Sequence, residues 1–516
     1  MLKGVSAIPV FCPAVFSFSG WHGRTESAII WGTMDTRYTV CLINDSFPPC
    51  IDGVATTVVN YARLLPESGI SPVVVTPDHP EADDSAYPFP VIRYPSLDTE
   101  KTFGYRAGNF LSAETLAAVE RQKPALIHSH CPITSTFLAR LLRRTLPMPL
   151  ILTYHSKFEY DVARIIRGKL IQEGALRLLV KNISACDEVW CVSRGAGEAL
   201  KGIGYEGDYI VMPNGVDLPK GRVADAMIEE VTAGYDLPQD VPCFLYVGRM
   251  MWYKGLRINL DACAALHEKG VDFRMVFVGG GGEKEAVMSY AKELGLYGEG
   301  SCGKVIFVDP VYDRERLRAW YARADLFLFP STYDTNGLVV REAAASYLPS
   351  VLIKGSCAAE DSTDGEDGFL IEENAQAMSS LLEELCRQPE KLRAAGEAAC
   401  RNLYLSWEDS VKNAAARYEI VLENYRRGLY PLHDSPDDVL FNSAADMLSR
   451  YNQRRNQEYA ARKRLQKFLK AGERASAWTD FFAQGWGETS ELIREEEKKL
   501  DLRQDNQREW NPWSGL

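Results

Sequence analysis

The sequence predicts an α/β protein of two tandem domains. Each is a parallel sheet covered by helices on both faces, the two face a cleft, and a helical extension follows. Three observations carry this reading. Short, almost unbroken apolar runs alternate with helical text from residue 38 onward, the pattern of strands buried on both faces. The alternation runs through one set, passes a turn-forming stretch at 213–217 (PNGVD), and starts again. Polar and glycine-rich residues gather directly after the runs, where ligands bind in such sheets.

Composition narrows the class. A chain of 516 residues has room for two or three domains. Hydrophobic content of 46% and charged content of 25% are those of a soluble globular protein. The net charge of −12 argues against general nucleic-acid binding. Twelve cysteines without a Cys-x-x-Cys read as buried or free thiols in a reducing compartment. No apolar run reaches transmembrane length. Residues 1–36 show no periodicity and no signal-peptide core, and are read as a non-native or disordered extension with Met34 as the natural start. N-terminal analysis of native protein finding residues before Met34 would refute that.

The first domain, 37–205, opens with a strand at 38–43. A loop ending in Asp52-Gly53 leads into a helix over 54–65. Strands follow at 72–76, 125–128, 150–153 and 188–192, separated by helical text. His128-Ser-His130 and Tyr154-His155-Ser156 stand at successive strand ends. One such histidine is more often a packed residue; two clusters favour a site. The stretch 162–181 carries apolar residues and cations that form an amphipathic basic face, weakened as one helix by Gly168 and Gly174. A packed helix with solvated cations would read the same.

The second domain, 206–405, is read as opening with a strand at 209–212. Strands at 244–247, 275–278, 305–308, 324–330 and 350–353 follow. The first of these ends in Gly248-Arg249, with Lys254-Gly255 shortly after, two cations suited to screening a diphosphate. The Gly279–Gly282 run lacks the spacing of a dinucleotide fingerprint. No Asp-x-Asp stands near a strand end, so neither a metal-bound diphosphate nor a cofactor is expected.

The most informative stretch is 331–342 (STYDTNGLVVRE). It joins a buried strand to a helix. Gly337 permits close backbone approach, and the free N–H groups of the first helical turn favour an anion. Asp334 stands before that turn and Glu342 about a turn and a half inside the helix. Diphosphate on the amides, sugar hydroxyls on one acid and ribose hydroxyls on the other would suit a nucleotide sugar. An acidic loop and an ordinary helical glutamate would look alike in this stretch alone.

Taken together, these motifs resemble the retaining family-4 glycosyltransferases of GT-B fold, in which two Rossmann-like domains face a cleft. The matching pieces are Asp52-Gly-Val-Ala-Thr56, His128-Ser-His130, Thr153-Tyr-His155, Pro213-Asn-Gly-Val-Asp217, Val247-Gly-Arg249 with Lys254-Gly255, and 330–342. They span roughly 37–425. The first acid is usually Glu and here is Asp334, and the usual Gly after the alanine-rich helix is replaced by Ser346-Tyr347. The resemblance implies that Arg249 and Lys254 bind the donor diphosphate with the amides of Asn336, Gly337 and Leu338. It implies that Glu342 holds the ribose and Asp334 the sugar. Gly53 would close over the phosphate, Val308 and Val311 would line the base pocket, His130 would contact the sugar, and His155 would face the acceptor. The implied reaction is metal-independent hexosyl transfer from a UDP-sugar, UDP-glucose first. The motif stretch most resembles bacterial diacylglycerol glucosyltransferase-like proteins, which implies a lipid acceptor and a cytoplasmic protein peripheral at the inner membrane face. A catalytically weak nucleotide-sugar-binding or assembly subunit is the alternative.

The helix at 406–426 is expected to cross back to the first domain, as in the family. Residues 427–516 form a helical extension outside the motifs, with a basic stretch over 450–470 suited to self-association, a partner or an anionic surface.

Overall fold

The computed structural model describes residues 37–50, 52–99, 106–300, 302–431, 438–439, 441–447, 450 and 461. The readings of 1–36, and of the basic stretch except Arg450 and Ala461, lie outside them. The chain divides into two compact units, one ending at Asp438 and one beginning at Val439.

The first unit holds two parallel sheets. The first comprises β1 (Tyr38–Ile43), β2 (Ile70–Pro77), β3 (Val91–Tyr94), β6 (Leu126–Ser129), β7 (Leu150–Tyr154), β8 (Glu188–Cys191) and β9 (Ile210–Val211), in the order β3-β2-β1-β6-β7-β8-β9. β4 (Ser96–Leu97) and β5 (Ala107–Gly108) form a small antiparallel ribbon apart from it. The second sheet comprises β10 (Cys243–Val247), β11 (Arg274–Val278), β12 (Val305–Val308), β13 (Leu326–Phe329), β14 (Ser350–Ile353) and β15 (Phe369–Ile371), in the order β12-β11-β10-β13-β14-β15. Central strands such as β10 and β13 are buried along their whole length, so apolar residues fill consecutive positions rather than alternate ones.

Each sheet reverses its winding once. In the first, β1 lies between β2 and β6; in the second, β10 lies between β11 and β13. A crevice opens beyond the carboxyl ends of the strands flanking each reversal. The loop ending in Asp52-Gly53 follows β1 and His130 follows β6. Arg249 and Lys254 follow β10, and the Ser331–Glu342 stretch follows β13. Most of the candidate motifs thus sit at a reversal; His155, the Pro213–Asp217 turn and the Val308–Val311 stretch follow β7, β9 and β12 instead.

Two elements differ from the sequence reading. The strand at 210–211 pairs with β8 and closes the first sheet instead of opening the second. Its brevity and polar flanks give no pattern that would say which sheet it joins. The stretch 162–181 is two helices, Phe158–Ile165 and Lys169–Ser184, parted at Gly168, whose φ is 100°. Gly174 is carried inside the second helix.

The helix Trp407–Arg426 packs on the first sheet. Trp407, Val411, Ala414, Tyr418 and Val421 share a core with Val40, Leu42, Val58 and Trp190. Buried polar groups fix its register. Glu188 accepts from Arg417 (Nη2, 2.7 Å), from Trp190 Nε1 (2.9 Å) and from the Tyr430 hydroxyl (2.7 Å). Asp438 accepts from Arg140 Nη2 at 2.5 Å, and Arg140 Nη1 donates to Asn182 at 3.0 Å. Tyr430 and Asp438 belong to the stretch read as an extension, yet both are tied into the first domain.

Both members of the Arg140–Asp438 pair are buried. Removing one partner of a buried ion pair strands the charge of the other, which costs about 3–5 kcal/mol. Asp438→Ala is expected to lower the unfolding free energy by about that much, read from urea denaturation. A loss below about 1 kcal/mol would show that the pair contributes little.

Candidate functional site

The second-domain half of the site is assembled from two strand-end loops. After β10 the chain makes a 3-10 turn, Trp252–Lys254, and then Gly255 at φ 77°. A Cβ at Gly255 would lie 2.1 Å from the carbonyl oxygen of Pro330. Glycine is therefore the residue that lets this turn press against the end of β13. The contact brings the Lys254 ammonium onto Asp334 Oδ1 as a salt bridge. Asp334 Oδ2 accepts from the hydroxyl of Ser331 at 2.5 Å. The Lys254 side chain is largely buried and the Asp334 side chain about a quarter exposed, so the pair faces the cleft without being solvated like a surface pair.

The helix Leu338–Ala345 begins directly after Gly337, which sits at φ 57° with Ala358 packed 3.1 Å from where a Cβ would stand. The amide of Leu338 heads that helix, and no side chain caps it. The amide side chain of Asn336, with its nitrogen toward Val192, donates to the Val192 carbonyl at 3.2 Å and accepts from Asn214 N at 3.3 Å. Its side chain is thus engaged by backbone at the end of β8 and in the 213–217 loop. Glu342 accepts from the Tyr321 hydroxyl at 2.9 Å and lies 3.6 Å from Arg314. Burial raises its pKa, Arg314 and then Tyr321 oppose that rise, and Asp217 adds to it.

The structure joins Lys254 to Asp334 across the loops after β10 and β13, and the second of these loops runs through Gly337 into the helix that carries Leu338 and Glu342. Arg249 is exposed; its carbonyl accepts from the Tyr246 hydroxyl at 2.9 Å. Val308 is buried at the end of β12, and Val311 is half-buried in the loop beyond. The Gly279–Gly282 run lies beside the Arg249 loop. Gly248 N donates to Val278 O at 3.1 Å and Met250 N to Gly280 O at 2.7 Å. The run therefore serves loop-to-loop backbone packing.

In the first domain, Asp52 caps the helix Gly53–Leu64, its Oδ1 accepting from Val54 N and Ala55 N at 2.8 and 2.7 Å. Gly53 is exposed, with open space around it. His130 and His155 are buried and joined, Nδ1 to Nε2, at 3.1 Å. The His130 Nε2 atom has no hydrogen-bond partner among the described residues. His128, grouped with them in the sequence, is a core residue. Its ring is held between the Tyr418 hydroxyl (2.6 Å) and Thr153 Oγ1 (2.7 Å).

Contacts tie the two halves within this unit. Lys157 Nζ donates to the Thr332 carbonyl at 3.3 Å, and Thr335 Oγ1 donates to the His155 carbonyl at 2.9 Å. Glu360 accepts from Arg194 N at 2.7 Å and Gly195 N at 2.9 Å, capping the helix Arg194–Gly202 from the second domain. Sequence reading missed Ser331, Tyr321, Arg314 and Glu360. Ser331 was within reach, since a hydroxyl three residues before Asp334 is a local bond; the other three act across folded distances.

His128, His130 and His155 all ionise well below the usual imidazole range, with burial the first cause in each. His155 is pulled down to about 3. An unfolded imidazole takes a proton near pH 6.5 and this folded one does not, so stability is complete above about pH 6.5 and falls as the pH drops toward the folded value. Each such group gives a slope of about 1.4 kcal/mol per pH unit in that window. His155→Gln is expected to reduce the pH slope of the urea unfolding free energy by that amount. An unchanged slope would mean that His155 ionises freely in the folded chain.

Residues 51–220 match the family model described as Glycosyltransferase Family 4, and residues 227–401 match the one described as Glycosyl transferases group 1. An alpha-monoglucosyldiacylglycerol synthase of Streptococcus pneumoniae is 24% identical over 319 residues, covering 60% of this chain and 70% of that protein. The solved sucrose-phosphate synthase of Thermosynechococcus elongatus superposes with a TM-score of 0.60 at 23% identity, over 75% of this chain and all of that one. HepE of Anabaena, solved with UDP and glucose, gives 0.56 at 17% identity, over 74% of this chain and 99% of that one.

Proposed function

We propose, for a chain that belongs to the family-4 glycosyltransferases of GT-B architecture, that it moves a hexose from a nucleotide diphosphate sugar to an acceptor with the anomeric configuration retained. The observation that carries this is the Lys254–Asp334 pair beside the uncapped start of the helix Leu338–Ala345. A cation paired with a carboxylate, and the first amides of a helix in the carboxylate's own stretch, support a sugar diphosphate as the ligand. UDP-glucose is the donor we infer, supported by the UDP and glucose bound by the HepE neighbour.

In this reading Arg249 and Lys254 neutralise the diphosphate, and the amides of Gly337 and Leu338 add donors. Asp334 takes hexose hydroxyls, Glu342 takes ribose hydroxyls, and Val308 and Val311 flank the base. Gly53, with open space around it, lets the first-domain loop approach the phosphate. The buried Nε2 of His130, unpartnered among the described residues, is the atom we assign to the hexose, with His155 holding the other ring nitrogen. The bond from the anomeric carbon to the phosphate oxygen breaks, and the bond to the acceptor oxygen forms on the same face. The departing phosphate takes the acceptor proton. The protein's share is positioning and electrostatics rather than a nucleophile.

Losing one charge-assisted bond to the donor costs about 1.5–3 kcal/mol, or roughly ten- to a hundredfold in rate. Lys254→Ala and Glu342→Ala are each expected to cut transfer by that factor at limiting donor and also to lower the melting temperature, since each strands a buried or partly buried partner, so turnover is read well below the unfolding range. The measurement is release of free nucleoside diphosphate across a panel of nucleotide sugars. Near-wild-type turnover in either variant would remove the site assignment.

For the acceptor we infer a diacylglycerol-type lipid met at a membrane surface. Leu170 and Ile171 are 81% and 64% exposed at the start of the helix Lys169–Ser184, with Arg167, Lys169, Arg177 and Lys181 exposed around them. Apolar chains flanked by cations suit an anionic interface. The alpha-monoglucosyldiacylglycerol synthase relative, named for a glycolipid product, supports it. Among the described residues no helix is long and apolar enough to cross a membrane. Burying one such side chain is worth about 1.5–3 kcal/mol. Leu170→Glu with Ile171→Glu is therefore expected to lower co-sedimentation with anionic vesicles at least tenfold and to leave donor hydrolysis unchanged. Equal sedimentation would move the lipid contact elsewhere.

A further inference from the structure

Glu342 divides its two oxygens between unlike partners. Oε2 accepts from the hydroxyl of Tyr321, a fully buried side chain on the helix Arg314–Arg323. Oε1 faces the guanidinium of Arg314, at the head of the same helix and half exposed, at 3.6 Å. The other arm of Arg314 donates to Asp217 Oδ2 at 2.9 Å, and Asp217 Oδ1 accepts from Asn60 on the first-domain helix Gly53–Leu64 at 3.3 Å. One contact of the glutamate is therefore short, buried and fixed. The other is long, solvent-reached and shared with a second carboxylate.

We infer that Tyr321 is the positioning residue that turns Glu342 toward the donor, and that Arg314 is a place-holder exchanged for a donor hydroxyl at Oε1. This rests on the reading of Glu342 as the ribose carboxylate. The tertiary arrangement supports the division of labour. A buried phenol on a packed helix cannot follow a moving carboxylate, so Oε2 stays where it is. Arg314 loses little on release, because its stronger bond to Asp217 remains and its exposed side chain keeps its water. Donor binding then leaves Arg314 wholly on Asp217, which is bonded to the first domain through Asn60. The inference also gives a role to Asp217 of the Pro213–Asp217 turn, which the donor chemistry leaves unused.

The electrostatics run the same way. The charged and titratable groups acting on Glu342 are Arg314, Tyr321 and Asp217. Burial raises the Glu342 pKa, and the guanidinium and then the phenol oppose that rise. Burial and Glu342 itself push the Tyr321 phenol well above its usual range, so it remains a donor throughout the working range. The ionised carboxylate is the form that accepts on both oxygens at once, and the protonated form keeps less acceptor capacity.

The test compares Tyr321→Phe, Arg314→Met and Glu342→Gln in the full chain, reading donor KM, kcat and the acidic limb of kcat/KM. Tyr321→Phe is expected to raise donor KM about tenfold with kcat within threefold, and to move the acidic limb to higher pH. A buried phenylalanine of the same shape that merely loosened the fold would lower the melting temperature and leave the limb in place. Arg314→Met, at an exposed position where folding is not at issue, is expected to leave KM above the limb within twofold and also to move the limb upward. If Tyr321→Phe matches wild type in both KM and pH profile while Glu342→Gln weakens the donor, this inference falls and the ribose assignment stands. If Arg314→Met weakens the donor as much as Glu342→Gln, Arg314 is itself a donor ligand and the place-holder role is overturned. If Glu342→Gln leaves donor KM unchanged, the ribose assignment itself is wrong.

Discussion

The second-domain half of the candidate site depends on one close contact. Gly255 lies so near the carbonyl of Pro330 that any side chain would collide with it. That approach joins the loop after β10 to the loop after β13, and it lets Lys254 and Asp334 meet although they are 80 positions apart. Two charged groups with this little exposure are stable only because each answers the other and Ser331 satisfies the second carboxylate oxygen. The pair is thus held partly desolvated and fixed in direction before anything binds.

The first-domain half rests on a polar interior that the last helix completes. Tyr418 reaches into the first sheet to His128, and His128 reaches on to Thr153. Arg417 and Tyr430 converge on Glu188 beside Trp190. Bonds of this kind add specificity of register that apolar packing alone would not, since a slipped helix would leave several buried groups unpaired. His130 and His155 sit beyond that network at the strand ends, kept neutral by burial, with one ring nitrogen open. The three histidines of these neighbouring strand ends therefore divide into a core residue, His128, and a pair bonded to each other, His130 and His155.

The family pattern is departed from at Asp334 and at Ser346-Tyr347, and the two departures differ in kind. Asp334 is shorter than glutamate by one methylene, yet it is held on both oxygens by Lys254 and Ser331. Tyr347 takes φ 59°, a backbone region that a glycine would occupy freely, and its carbonyl packs 2.0 Å from where a Cβ of Gly396 would stand. The conformation is thus kept by the surrounding packing although the residue disfavours it. The first departure lies in the candidate site, where Asp334 meets Lys254; the second lies where the helix Leu338–Ala345 ends.

The amino-acid sequence by itself determined the two-domain parallel α/β plan and the position of the motif stretch. Both are local properties. A strand buried on both faces must be apolar along its length, as β10 and β13 are, and a strand–glycine–helix junction with flanking acids is contained in a dozen residues. What the tertiary structure alone decided is which groups meet. Strand order places β6 beside β1 and β13 beside β10, and so puts most of the motifs at the two winding reversals. It assigns Tyr321 and Arg314 to the two oxygens of Glu342, sends Ile210–Val211 to the first sheet, and makes His128 a core residue paired 290 positions away. Apolar periodicity reports only whether a residue faces inward. The partner it finds there is set by sheet order, register and helix packing, which no short stretch of sequence encodes.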